Sequence, residues 1–158
     1  MAVLCVLQST HGLLLLKRKK PPHQGIYTPI GGKIDPFERP IDTAYREIKE
    51  EAGVTVANLR LAGIMTETSP IKYNWMNYIY TTQVDAFDPP PCNEGELSWV
   101  QYDAMHTIDM PETDPIIFDH IRRNQFFAFD ATYDDNITLL KLIDEVTNTT
   151  LYDHKINE

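Results

Sequence analysis

The stretch at residues 40–53 constrains this chain more than any other. At about 100° per residue, Ile41, Ala44, Tyr45, Ile48 and Ala52 fall on one stripe of a helix that must be buried. Pro40 stands in its first turn and Gly53 just past its end, the usual asymmetry of helix termini. Arg46 and Lys49 lie on one flank of the stripe, and Glu47, Glu50 and Glu51 lie together on the other. Like charges three and four positions apart cost a helix a few tenths of a kcal/mol each. The C-terminal end of the helix dipole disfavours anions as well. A solvated face would interleave cations at those spacings. The pattern reads instead as a carboxylate cluster completed by divalent cations. Oxygen ligands without Cys or His suit Mg²⁺, with Mn²⁺ as a substitute, rather than zinc.

The rest of the chain supplies strands for that helix to pack on. Residues 2–7 and 13–16 are apolar runs of strand length, separated by a hairpin turn at 8–12. A Pro/Gly-rich loop covers 21–32. Residues 54–65 read as a strand broken by a turn, 73–87 as one strand or two, and 97–102 as another. Helical spacing returns at 114–125, and two strands at 126–132 and 137–143 flank an Asp134-Asp135-Asn136 turn. Strands outnumber helices without regular alternation, so the expected class is α+β with a mixed sheet. At 158 residues, one domain over 1–158 is the expectation.

The charge narrows the partners. The formal net charge is −9, against the basic face that a nucleic-acid polymer requires. It is unevenly spread: residues 1–84 hold ten cations and seven acids, residues 85–158 four and sixteen. Lys17, Arg18, Lys19 and Lys20 form an unbroken basic run, suited to a small, highly charged anion. Cys5 and Cys92 give no disulfide framework or metal spacing, and no stretch reads as a secretory leader or membrane span. A reducing, cytoplasmic setting follows as the expectation.

Read from Gly32, the chain gives Gly32, five residues, Glu38, seven residues, then Arg46-Glu47-Ile48-Lys49-Glu50-Glu51-Ala52-Gly53-Val54. This run, residues 32–54, resembles the Nudix box, Gly-x5-Glu-x7-Arg-Glu-aliphatic-x-Glu-Glu-x-Gly-aliphatic, with every fixed position filled. The resemblance implies a Nudix hydrolase, in which a mixed β-sheet lies between α-helices and a nucleoside diphosphate derivative is cleaved with Mg²⁺. It implies that Glu47, Glu50 and Glu51 bind the metal, that Glu38 and Gly32 support the metal loop, and that Arg46 orients the glutamates by ion pairing. Anhydride cleavage needs neutralised oxygens, an aligned water and a base. The base is assigned to Glu51 or to Glu94, whose Asn93-Glu94-Gly95-Glu96 stretch resembles a family position that supplies an extra acid.

The flanking regions resemble MutT-like oxidised-purine nucleoside triphosphatases. Tyr27-Thr28-Pro29-Ile30-Gly31-Gly32-Lys33 matches the loop before the box, and Met110-Pro111-Glu112-Thr113 stands where those enzymes carry Trp-Pro-Asp-Asp. Thr28 replaces their Asn. The resemblance therefore implies a small nucleotide substrate, 8-oxo-dGTP cleaved to 8-oxo-dGMP and pyrophosphate, with Glu112 and Thr28 reading the base. Tyr27 and Tyr78 are candidates for stacking on it, and Lys17, Arg18 and Lys33 for the phosphates. A dinucleoside polyphosphate, a nucleotide sugar or a pterin triphosphate stays open as substrate, as does a non-catalytic nucleotide sensor. Nothing in the residues speaks to oligomeric state.

Overall fold

Leu13, Leu14, Leu15 and Leu16 are each no more than 1% exposed, although side chains alternate between the two faces of a strand. Both faces of that strand must therefore be covered. The computed structural model, which describes residues 1–21 and 23–156, shows how; Pro22, in the Pro/Gly-rich stretch, lies outside them. Ten strands form one sheet: β1 (Ala2–Ser9), β2 (Gly12–Arg18), β3 (Tyr27–Thr28), β4 (Ile30–Lys33), β5 (Arg60–Thr68), β6 (Trp75–Gln83), β7 (Gly95–Val100), β8 (Phe127–Tyr133), β9 (Leu139–Asp144) and β10 (Thr149–Asp153). The order is β10-β9-β8-β5-β6-β1-β2-β3, with β4 also on β1 and β7 also on β2. The β1–β6 and β5–β8 pairs are parallel and the others antiparallel, so the sheet is mixed.

One helix covers each face. Helix α1 (Pro40–Glu47) continues through a wider π turn (Ile48–Ala52), and packs Ala44, Ile48 and Ala52 against Val3, Cys5, Leu7, Leu14 and Leu16. Helix α2 (Asp114–Arg122) packs Ile117, Phe118 and Ile121 on the opposite face, against Val6, Leu13, Leu15, Met65, Ile79, Phe127 and Phe129. This is the expected sheet between helices. No helix among the described residues is long and apolar enough to cross a membrane.

Three local expectations change. The Pro/Gly-rich stretch is not loop throughout, since β3 and β4 lie in it. Two of its glycines are there because backbone and helix come close: a Cβ on Gly31 would strike the Val3 carbonyl, and one on Gly32 the Glu47 carboxylate. Residues 54–59 form no strand; Val56 is buried without pairing, and β5 starts only at Arg60. Strand β10 was not expected from the residues, because an edge strand of half-exposed Thr-Thr-Leu-Tyr-Asp lacks a buried alternation.

Candidate active site

The parts converge at one end of the sheet. Ala2 pairs with Lys33 and with Asn77, Val3 with Gly32, and Glu67 with Trp75, which brings the end of β4, the start of β1, the end of β5 and the start of β6 together. Helix α1 lies over this end. Its π turn closes on Gly53, whose φ of 71° is left-handed and favours glycine. The three glutamates of the expected carboxylate face are not equally buried. Glu51 turns inward and Glu47 is 12% exposed, while Glu50 stays out at 59%. Their order follows the helical wheel, on which Glu51 lies nearest the buried stripe and Glu50 farthest from it.

Arg46 does not stand apart from the glutamates on a separate flank. Its Nε and Nη2 donate to the two oxygens of Glu38 at 2.8 and 3.0 Å. Its Nη1 donates to Glu47 at 2.8 Å and Glu50 at 3.3 Å, and Nη2 also reaches the Lys33 carbonyl. The Thr43 hydroxyl adds a 2.7 Å bond to Glu38. These bonds, Arg46 first, hold the Glu38 carboxyl down to about 2. One guanidinium thus ties the loop before α1 to the acidic face of α1.

Glu51 has the opposite environment. Burial, then the charge of Glu47, push its carboxyl up to about 7, against a hydrogen bond from the Gly31 backbone N–H and the charge of Arg18. Its Oε2 is buried with no hydrogen-bond partner. Burial also raises Glu47, and raises the Cys5 thiol beneath both acids. The charge of Glu94 bears on Glu51 too, while Lys20 lies 3.9 Å from Glu94. Crowded carboxylates, one with an orphaned oxygen, form a site short of positive charge. Their all-oxygen donor set fits a hard divalent cation. Among the described residues no three acids already converge at ligating distance, since Arg46 holds Glu47 and Glu50 to itself.

The candidate substrate residues separate onto two faces. Arg18 is on the α1 side, where its charge reaches Glu51. Lys17 is on the α2 side, with Nζ 5.8 Å over the Tyr27 ring, and Tyr27 packs against the α2-side core. Lys33 lies 5.6 Å over Trp75. Thr28 pairs with Leu16. Tyr78 is not brought to Tyr27: it packs against the α1-side core. Glu112 is exposed, and the buried acid is Asp114, two residues on.

Asp114 and Glu67 are the pair that the residue pattern did not reveal. Glu67 accepts from Tyr133 at 3.0 Å and from Asn77 at 2.8 Å. Burial, then the charge of Glu67, push Asp114 up to about 8, and its Oδ2 has no hydrogen-bond partner. Glu67 is raised by burial as well. The sequence signals this pair only through Glu67, an acid near the end of an otherwise β-forming run.

The Nudix domain model matches residues 1–121, more than three quarters of the chain. This chain belongs to the Nudix family. The Nudix hydrolase YvcI of Bacillus subtilis is 29% identical over 128 residues, covering 77% of this chain and 78% of that protein. The NAD-capped RNA hydrolase NudC of Chromobacterium violaceum is 33% identical over 101 residues, 62% of this chain but only 37% of NudC. The crystal structure of a MutT protein from Bacillus halodurans superposes with a TM-score of 0.81 at 25% identity, over 92% of this chain and 97% of that one. The Nudix chain is thus MutT-like, with the family's mixed sheet and few helices, and is a hydrolase of phosphoanhydride bonds in nucleotide derivatives. Nudix hydrolases generally use a divalent metal.

Proposed function

We propose that this Nudix hydrolase cleaves nucleoside triphosphates to monophosphate and pyrophosphate, with oxidised purine nucleotides such as 8-oxo-dGTP as substrates. The observation that carries the reading is the buried, unpartnered Oε2 of Glu51 beside Glu47, at the sheet end that also holds Arg18 and Lys33. In this reading Mg²⁺ is held by Glu47, Glu50 and Glu51, with Glu38 and Gly32 supporting them. Bound there, the cation supplies charge neutralisation for the anhydride oxygens. Arg46 keeps Glu47 and Glu50 oriented through its bonds to both. Glu51 or Glu94 takes the proton of the attacking water. Arg18, Lys33 and Lys17 steady the triphosphate. The base lies on the α2 side, against Tyr27. There the buried Asp114 takes the base-reading role first expected of Glu112, with Thr28 at the rim. The setting is cytoplasmic, where free nucleotides are found.

A substrate panel tests this. The protein with Mg²⁺ is incubated with canonical and oxidised nucleoside triphosphates, dinucleoside polyphosphates, nucleotide sugars and NAD, and the products are quantified. Pyrophosphate plus monophosphate from 8-oxo-dGTP, at far higher efficiency than from dGTP, is the expected outcome. Preferred turnover of a dinucleotide or nucleotide sugar would overturn the substrate assignment. Binding of these nucleotides with no turnover would make the protein a sensor instead.

A further inference from the structure

The opposite end of the sheet carries a second polar site. Strand β1 runs from Ala2, beside Lys33, to Gln8, a separation of about 20 Å at the rise of a strand. Around Gln8 lies a groove of about 440 Å³, bounded by Asn58, Arg60, Gln83, Arg122 and Asn124 among others. That size is in the range of small-molecule sites, which runs from about 300 Å³ upward. The chain has 23 acids and a net charge of −9, yet no acid lines this groove. Among the described residues neither Arg60 nor Arg122 makes an ion pair, whereas Arg39, Arg46 and Arg123 all do.

The groove is also organised. Thr81, 4% exposed, donates its hydroxyl to the Val6 carbonyl at 2.9 Å and accepts from Gln8 Nε2 at 2.9 Å. The Gln8 Oε1 in turn accepts from the Tyr102 hydroxyl at 3.2 Å. The guanidinium of Arg122 lies 5.2 Å over the Tyr102 ring. Cation–π contact positions a guanidinium without consuming its N–H donors. Arg60 stands across from Thr81 in the β5–β6 register. The chain of bonds from Val6 to Tyr102 therefore presents one aromatic-braced arginine, and a second arginine borders the same space.

We propose that this groove is a binding site for a phosphorylated small molecule of nucleoside monophosphate size, separate from the anhydride-cleaving centre. The two guanidinium forks match the phosphate oxygens, and the asparagine and glutamine amides line the remaining wall. Nothing in this assignment depends on which triphosphate the other end of the sheet cleaves.

The test is an amide NMR titration of the full chain with adenosine 5′-monophosphate, and separately with inorganic pyrophosphate, with EDTA present to strip the metal. Saturable shifts are expected at Thr81, Gln83 and Asn124, in a group distinct from Gly31 and Gly32. The monophosphate should bind there more tightly than pyrophosphate. Arg60→Gln combined with Arg122→Gln should weaken that binding by about tenfold or more per arginine. Both side chains are exposed, so the melting temperature and the turnover at the Glu51 end should stay as in the wild type. Shifts confined to the Gly32 end, or an unchanged affinity in the double variant, would overturn the site. Pyrophosphate binding as tightly as the monophosphate would overturn the ligand class.

Discussion

Glu38 and Arg46 meet fork to fork, with both carboxylate oxygens engaged at 2.8 and 3.0 Å, although eight positions separate them in the chain. The same guanidinium reaches Glu47 and Glu50. A lysine at this position would keep the charge and lose the fork. Arg46→Lys is expected to lower the urea midpoint of unfolding, because a single ammonium cannot remake the fork to Glu38. It should also lower turnover, because Glu47 and Glu50 lose their shared anchor. Urea unfolding and kcat check both; wild-type values in each would refute the bridging role.

Gly32 leaves no room for a side chain beside Glu47. A Cβ on Gly32 would occupy the space of the Glu47 carboxylate. Glu47 is the end of a side chain and is able to shift, so Gly32→Ala should fold and should lose most of its turnover. Circular dichroism together with steady-state kinetics reads the two effects separately. An active Gly32→Ala enzyme would mean that the position of Glu47 does not matter.

Glu51 couples activity to pH-dependent stability. Its carboxyl is pushed from 4.5 up to about 7 by burial and Glu47. Between those values the unfolded chain has released its proton and the folded chain has kept it. The Glu51 contribution to the stability of the metal-free protein should therefore fall as pH rises from about 4.5 to about 7, and then level off. Glu51→Gln should flatten that dependence and abolish nearly all turnover. Thermal melts in EDTA from pH 4.5 to 8, with a turnover assay in Mg²⁺, would expose a failure of either half.

Asp114 predicts a second slope that metal does not remove. Burial and the nearby Glu67 push it from 3.8 up to about 8, so the folded state holds a proton that the unfolded state has lost. Stability should fall as pH rises across that window and be lowest above about 8. Asp114→Asn keeps the shape without the ionisation, and should reduce the slope in Mg²⁺ as well as in EDTA. Its 8-oxo-dGTP to dGTP preference should change while the rate on dGTP changes less. Parallel stability profiles for variant and wild type would show that Asp114 does not titrate there.

Much of the candidate site is legible in the residues because its spacing is local. The buried stripe of Ala44, Ile48 and Ala52, the Gly53 end and the fourfold glutamate pattern all lie within one helix and its loop, where covalent geometry dictates which side chains share a face. The strands with full alternation or continuous burial, such as 2–7 and 13–16, were equally readable. The π turn over Ile48–Ala52 is not legible, because the apolar spacing through Ala44, Ile48 and Ala52 fits an ordinary helix equally well. Position within the motif points to Glu112, and only packing shows that the buried acid is Asp114, two residues on.

The fold class, the family and the carboxylate helix follow from the residues alone, because each rests on short-range periodicity or on a spaced run of residues. Tertiary packing is needed to show that Asp114 lies within reach of the Glu67 charge, that Tyr78 and Tyr27 are on opposite sides of the sheet, and that Arg60 and Arg122, the latter over the Tyr102 ring, border one groove. Those neighbours are brought together by strand register and by the crossing of helices over the sheet. Such contacts join residues tens of positions apart, and no local pattern in the chain records them.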